Sequence, residues 1–573
     1  MHWGTSLLLA AILFLPPRPL HARGQAEHVV VVVWDGLRPD FITPQYAPTL
    51  YELAQRGTFF ARNHSAYITS TEVNGTALAT GMHPEHSGVM ANTGYRPDLN
   101  WLTSYGTESL DAVRRGDLLS QGRYLEAATL PEMLQAAGIA TVIAGAKPVA
   151  LLHDRHPNKT NAAQQASVTL FRGQTLPRAM LDTLTKSPDI GPLPTNMLLP
   201  PLGFPLPATS TNAASPRARG GGGFGTPNTP DSWTTKALTR GLWRKGVPKY
   251  SLLWLSEPDA AQHEHGLGSE QAIEALESSD KNLALVIKAL EDKGVLEQTD
   301  IFVVSDHGFS TISRAPDIID SLKKANFVAG RQFQNPESGD VMVVNLGGSL
   351  AFYVFNRDEL VIRRLVAFLQ TTDFAGVIFA GVSIPGTFPL SQVCLSTNSS
   401  TPDVVVSMRW TPEPNEFGVA GMIASVDGKK GRGTHASLSP FDTHNTLVAA
   451  GPDFRAGFVS ELASGNIDVV PTVLFLLGVE PPTRLDGRVL VEALSGAASK
   501  APLPHEQTLE AARAQGFLTW RQYLKVTRVG TALYFDEGNG ASRMKIGQPS
   551  ELRPAVTTTS AVSSPTATEA GQF

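Results

Sequence analysis

The chain lacks the cysteines that staple small secreted scaffolds: among 573 residues there is one, Cys394, so an intramolecular disulfide is excluded and stability must come from a packed core. It also lacks a basic excess. Forty-seven Lys and Arg stand against 52 Asp and Glu, a net charge of −5, which leaves no electrostatic footprint for nucleic acid. Long apolar runs are scarce. The run from Leu7 to Leu15 is too short to span a bilayer. It is followed by Pro16, Pro17 and small residues near Ala22 and Ala26, which fits a cleavable signal peptide over residues 1–26. The expected mature chain has no membrane span and is secreted or periplasmic, with a single cysteine favouring a bacterial envelope setting.

What is present is an alternation of buried strands and amphipathic helices. His28–Trp34 is a continuous apolar run ending at Asp35-Gly36, the pattern of a strand buried on both faces. A helix is expected over 47–56, with Pro48 in its first turn and Gly57 closing it. Thr129-Leu-Pro-Glu132 has the form of a capping box before a helix to Ala137, and a strand follows from Ile139 to Ala144. Further strands are expected at Tyr250–Leu255, Ile301–Val304 and Asn445–Ala450, and a long helix at 270–293. Such alternation predicts an α/β fold with a mainly parallel sheet covered on both faces. The domain expected over 27–500 carries two inserts. Residues 191–232, rich in Pro, Gly and Thr, predict a flexible surface segment, and 327–426 a smaller α+β cap. Residues 501–553 are expected to pack on the core as an extension, and 554–573 to form a disordered tail.

Ionisable residues gather at the ends of these strands. Asp35 follows the first; Asp259 and His263 follow the Tyr250 strand, in the loop beyond it. Asp306-His307 follows the Ile301 strand, and His435 precedes the Asn445 strand. Sites of open α/β sheets form outside the carboxyl ends of strands, so these segments converge in space. Three Asp and three His make two sets of three zinc-type ligands, each one short of tetrahedral closure. Thr71 opens a helix after an irregular loop, where the helix dipole and a metal favour an alkoxide nucleophile. Asn92, in Gly88-Val-Met-Ala-Asn92, is placed to donate to a transferring phosphoryl oxygen. Taken singly, each has a plainer role: Thr71 a helix cap, Asn92 a turn residue, Asp35 a turn former.

Together, the ordered motifs resemble the nucleotide pyrophosphatase/phosphodiesterase family of the alkaline phosphatase superfamily. They are Asp35-Gly-x-Arg-Pro, Thr71 with Asn74, Gly81-x-x-Pro-x-x-Ser-Gly88, Asp259-x-x-x-His263, Asp306-His307-Gly308 and Gly433-x-His435. The resemblance covers most of residues 28–495, including the closing segment 466–487. It implies an alkaline-phosphatase-like three-layer sandwich holding two zinc ions. One would be bound by Asp259, His263 and His435, the other by Asp35, Asp306, His307 and the oxygen of Thr71. It implies a small phosphodiester or pyrophosphate substrate, cleaved through a phosphothreonine-type intermediate, with Asn92 and backbone N–H groups on the transferring oxygens.

Three positions depart from the family pattern or qualify it. Glu72 stands where nucleotide-cleaving members often carry an aromatic that stacks on the base. Ala436 follows His435 where glycine is common. Lys147, in Ala144-Gly-Ala-Lys-Pro148, stands near where related monoesterases place cations against phosphate, the alternative being a solvated loop lysine. A phosphomonoesterase or a phosphonate hydrolase is therefore the enzymatic alternative, and a metal-stabilised binding protein the non-enzymatic one. The C/S-x-P-x-R pattern of sulfatases is absent around Thr71. His265 and Asp442 are expected as supports for the ligands. The remaining histidines, His64 and His444 among them, are expected to be surface or packing residues.

Overall fold

The computed structural model describes residues 24–156, 167–197, 229–395, 400–426, 428–496 and 503–544. Residues 1–23 of the expected signal peptide, most of the 191–232 segment and the 554–573 tail lie outside the described residues.

Nine strands form the main sheet: β1 (His28–Trp34), β2 (Thr58–Phe60), β3 (Thr141–Gly145), β4 (Val168–Phe171), β5 (Gln174–Leu176), β6 (Tyr250–Leu255), β7 (Thr299–Val304), β8 (Leu447–Ala450) and β9 (Phe458–Ser460). Their order is β9-β2-β8-β7-β1-β6-β3-β4-β5. Parallel pairing joins β7, β1, β6, β3 and β4, and also β2 and β9. β8 pairs antiparallel with both β7 and β2, and β5 antiparallel with β4. The Asn445–Ala450 strand thus enters against the direction expected of a βαβ unit.

The alternation along β1 builds three layers. Val29, Val31 and Val33 face one core, shared with Val73, Ala77 and Leu78 of helix α2 (Thr71–Thr80). Val30, Val32 and Trp34 face the other, against Leu50 and Leu53 of α1 (Pro48–Arg56) and the apolar stripe Leu276, Leu283, Val286 and Leu290. That stripe belongs to α5 (Glu270–Asp292), which follows α3 (Leu130–Ala136) and α4 (Glu257–His265) in the chain. Each fully buried valine contributes about 1.5–3 kcal/mol relative to exposure, so a strand without polar side chains between 29 and 34 is held firmly. The capping box at Thr129 is formed, with both its reciprocal bonds.

The cap region carries a six-stranded sheet in the order 329–330, 341–345, 349–354, 404–408, 375–380, 388–389. The helix Glu359–Leu369 covers one of its faces. Its other face packs Met342, Val344, Ala351 and Phe379 against Tyr67, Ile68 and Ala91 of the loops around Thr71. Three long strands close the described chain: β10 (Pro504–Gln515), β11 (Leu518–Val529) and β12 (Ala532–Met544). This antiparallel sheet bridges the molecule, with Trp520, Leu524 and Phe535 in the cap cores and Val529 and Tyr534 in the main one. Among the described residues no helix is long and apolar enough to cross a membrane.

Candidate active site

β7, β1 and β6 are neighbours and run in parallel, so the segments leaving Val304, Trp34 and Leu255 emerge side by side. They carry Asp306-His307, Asp35 and α4. β8 runs the other way; its first residue, Leu447, pairs with Val304. The chain before it therefore crosses the same edge, and that chain carries His435. Asp259 and His263 are not in a loop, as expected, but on α4. The i, i+4 spacing places both on one helical face, and helical backbone positions them more firmly than a loop.

The six ligand-type residues and Thr71 come together. Asp259 Oδ1 lies 3.2 Å from His263 Nε2 and 3.7 Å from His435 Nε2. His307 Nε2 lies 3.3 Å from Asp306 Oδ2, 3.7 Å from Asp35 Oδ1 and 3.3 Å from Thr71 Oγ1. Asp259, His263 and His435 bring ligating atoms within 4.8 Å of one another, and Asp35, Asp259 and His307 do the same. Asp259 thus stands between the two groups.

The chemistry of this donor set fits divalent metal. Asp35 Oδ1, Asp259 Oδ1 and Asp306 Oδ2 are buried and have no hydrogen-bond partner. Leaving such an oxygen unsatisfied costs about 1–3 kcal/mol or more, and two of the three acids, Asp35 and Asp259, belong to groups that could hold a metal ion. The imidazoles are prepared in the same sense. Nδ1 of His263, His307 and His435 lies 3.0, 2.9 and 3.0 Å from the carbonyl oxygens of Gly433, Gly308 and Thr69. A carbonyl accepts, so Nδ1 carries the hydrogen and the Nε2 lone pair faces inward. Burial holds His435 well below its ordinary value, aided by His307 and His263, and burial also lowers His307, so both are neutral as ligation requires. Among the acids, burial and Asp306 push Asp35 well up. Burial likewise raises Asp306, to about 6. Burial acts on Asp259 too, but Lys147 and His263 outweigh it and hold that carboxylate well below the usual range.

Lys147 is not a solvated loop lysine. Its Nζ donates to Asp35 Oδ2 at 2.8 Å and Asp259 Oδ2 at 2.7 Å, and Trp254 Nε1 donates to the same Asp35 oxygen at 2.8 Å. It neutralises the acid cluster from the side opposite the free oxygens. Burial works against its charge, yet Asp259, Asp35 and Asp306 keep it firmly protonated.

The nucleophile segment is braced by amides. Asn74 Oδ1 accepts from Ala66 N–H at 2.7 Å, while its Nδ2 donates to the carbonyls of Ala66 and Ser70. Asn466 Nδ2 donates to Asn74 Oδ1 and to the Asp306 carbonyl at 2.7 Å, tying the Thr71 loop to the ligand loop. Asn92 Oδ1 accepts from Glu72 N–H at 3.0 Å, so its Nδ2 is the donor that remains beside Thr71. Asp442 is buried beneath the His435 loop, accepting from Ser310 Oγ and from Ser437. Two backbone positions are tightly constrained. A Cβ on Gly308 would stand 2.1 Å from the Phe441 carbonyl oxygen. Ala436 holds φ +84°, a left-handed conformation that glycine adopts without the cost of a Cβ.

Sequence reasoning missed the surroundings of Asn92. A cleft lined by Ala91, Gly94, Tyr95, Tyr105, Tyr124 and Tyr353 opens there, and none of the seven clustered residues lines it. Glu72 is buried next to Thr71 with Oε2 unpartnered, and burial together with Glu108 pushes its carboxyl well up. These tyrosines lie in segments with no periodic signal, and the cap contributes Tyr353, packed against Tyr95.

Residues 29–410 match the family described as Type I phosphodiesterase / nucleotide pyrophosphatase. Among curated proteins, the chain is 28% identical over 237 residues to mouse ectonucleotide pyrophosphatase/phosphodiesterase family member 3, which is 41% of this chain and 25% of that protein. It is 30% identical over 66 residues to the venom phosphodiesterase of Naja atra, 12% of this chain and 8% of that one. The chain thus spans a quarter or less of these relatives' length. The solved structure of murine ectonucleotide pyrophosphatase/phosphodiesterase 5 superposes with a TM-score of 0.54 at 17% identity, covering 82% of this chain and all of that one. The human counterpart gives 0.53 at the same identity and coverage of this chain. The fold is alkaline-phosphatase-like, and the chain belongs to the Type I phosphodiesterase / nucleotide pyrophosphatase family.

Proposed function

We propose that the chain is an exported two-zinc hydrolase of phosphodiester or pyrophosphate bonds, acting through Thr71. The observation that carries this reading is the meeting of three unpartnered buried carboxylate oxygens, three oriented Nε2 lone pairs and the Thr71 hydroxyl at one sheet edge. Asp259, His263 and His435 would hold one ion; Asp35, Asp306, His307 and the Thr71 oxygen would hold the other. Bound there, the two ions supply Lewis acidity, favouring the ionised Thr71 hydroxyl and neutralising charge on the attacking and leaving oxygens.

Thr71 Oγ1 attacks phosphorus in line; one P–O bond forms to the threonine as the bond to the leaving oxygen breaks. Water then displaces the threonine from the opposite face, giving net retention. α2 presents its free N–H groups and dipole to the transferring group. Asn92 Nδ2 donates to a non-bridging oxygen, its orientation fixed by the bond from Glu72 N–H.

Lys147 serves the carboxylates and is not a cation reserved for a monoester. Two of its three donors are spent on Asp35 and Asp259, so the additional negative charge of a monoester finds no uncommitted cation in it. A solved relative binds AMP, as an inactive variant of murine ectonucleotide pyrophosphatase/phosphodiesterase 5. In this chain Glu72 cannot stack on a base, so recognition of a nucleoside would need a group other than the residue after Thr71. Export rests on the Leu7–Leu15 run with its small-residue exit. The test is a comparison of bis-p-nitrophenyl phosphate with p-nitrophenyl phosphate on the zinc-loaded protein. The diester should be favoured in kcat/KM by about tenfold or more, a difference of about 1.4 kcal/mol at the transition state. A faster monoester would overturn the assignment.

A further inference from the structure

A second set of metal-type side chains meets where the C-terminal sheet joins the main body. His64 ends the short strand Asn63–His64, His444 follows the helical turn Pro440–Thr443, and Asp536 lies on β12. One ligating atom from each lies within 4.8 Å of the other two. These two histidines are therefore not independent packing residues.

His64 is buried, and its Nδ1 lies 2.9 Å from the Ser464 carbonyl oxygen. The carbonyl can only accept, so Nδ1 carries the hydrogen, the same arrangement as at His263, His307 and His435. Nε2 then faces Asp536 Oδ1 at 3.1 Å. In a neutral ring this sets a lone pair against a carboxylate oxygen, which is repulsive unless a cation lies between them. A proton would join these two groups and leave the third unserved: His444 Nε2 is buried and has no hydrogen-bond partner. Burial and the neighbouring His64 push His444 down to about 3, so its lone pair is available. Two imidazoles and a carboxylate are a zinc donor set. The 3.1 Å separation is close to the ~3.3 Å between adjacent ligands of a tetrahedral ion with bonds of about 2.0 Å. Thr527 Oγ1 donates to Asp536 Oδ2 at 2.8 Å and fixes the carboxylate plane.

One group competes. Arg62 Nη2 lies 3.3 Å from Asp536 Oδ1. The Arg62 side chain is 29% exposed, however, and its Nη1 is paired with Glu506 on the surface at 2.7 Å. Turning toward Glu506 would free Asp536 Oδ1 for the ion.

We propose that His64, His444 and Asp536 bind a third divalent ion, zinc by donor type, that clamps the C-terminal sheet to the main domain. The strand it grips leads to Thr71 seven residues later, so the clamp also steadies the nucleophile segment.

The test is the metal content of the full-length chain after zinc loading and removal of free ion, beside a zinc-edge anomalous difference map of wild-type crystals. Wild type should hold one more zinc per chain than the His64→Gln/His444→Gln double variant, and the map should show a peak between the three side chains. Asp259→Asn/His263→Gln should lose zinc from the active site while keeping that peak. A double variant with the wild-type zinc content, or a map without density at this point, would overturn the proposal and leave a proton bridge between His64 and Asp536. The map needs no variant to fold. Loss of the active-site peaks alone would count against the hydrolase reading and not against the clamp.

Discussion

The two ends of β7 each carry a buried aspartate with an unpartnered oxygen, and they differ in everything else. Asp300 lies at the start of the strand and Asp306 just beyond its end. Around Asp300 the nearest ionisable neighbour is another acid, Asp453, and the carboxyl is pushed up to about 9 by burial and that neighbour. Around Asp306 stand Lys147, Asp35 and three imidazoles whose lone pairs are aimed by backbone carbonyls. The first environment holds a proton; the second is arranged for metal. A buried acid does not by itself identify a site. The identifying feature is the set of neighbours that have been oriented toward it.

The largest expected effect separates these ends. Asp306→Asn should lower diester kcat/KM by about 10³ or more, since it would remove a ligand of the proposed metal pair. Asp300→Asn should leave turnover within about twofold, because it lies at the far edge of the sheet. Turnover and zinc content of both variants check this, and equal losses would erase the distinction.

Lys147→Ala sharpens the same contrast from the cation side. If Lys147 serves the carboxylates, monoester and diester rates should fall by similar factors, about tenfold, as charge balance at Asp35 and Asp259 is disturbed. A selective loss of monoester turnover would instead place its ammonium on the substrate.

The smallest effect is on stability. Asp300 keeps its proton in the fold up to about pH 9, whereas an unfolded carboxyl releases it near pH 4. The stabilisation linked to that proton is complete below about pH 4 and fades as pH rises toward 9. Asn carries no such proton. Asp300→Asn should therefore gain on wild type in denaturant unfolding as pH increases from 5 to 8. A difference independent of pH would mean that Asp300 is ionised.

Much of the site was legible because each acidic residue follows an apolar run long enough to be a strand. Asp35 after His28–Trp34 and Asp306 after Ile301–Val304 needed no more than that pattern and the rule that sites form at carboxyl edges. Asp259 and His263 were placed in a loop, because Ser256-Glu-Pro-Asp has the composition of a turn, yet Pro258 in the first turn starts a helix. The orientation of the imidazoles was not legible, since it comes from the carbonyls of Thr69, Gly308 and Gly433, and every residue has a carbonyl. The direction of β8 was also hidden: a four-residue apolar strand has the same pattern either way along. The C-terminal sheet left the weakest trace. β10 alternates exposed Glu506, Thr508 and Glu510 with half-buried Gln507, Leu509, Ala511, Arg513 and Gln515, so three of its five inward residues are polar. Asp536, which completes the His64 cluster, lies in this sheet.

The central claim is that the fold converges on the hydroxyl of Thr71, and its most direct measurement is the turnover of bis-p-nitrophenyl phosphate by Thr71→Ala at matched zinc content. Thr71 is the first residue of α2, the N-cap being Ser70, and its hydroxyl lies 3.3 Å from His307 Nε2, so the variant should fold, at a cost of about 1 kcal/mol. The account predicts a fall in kcat of about 10³ or more, with zinc still bound by the six remaining ligands. A kcat within about tenfold of wild type would contradict it.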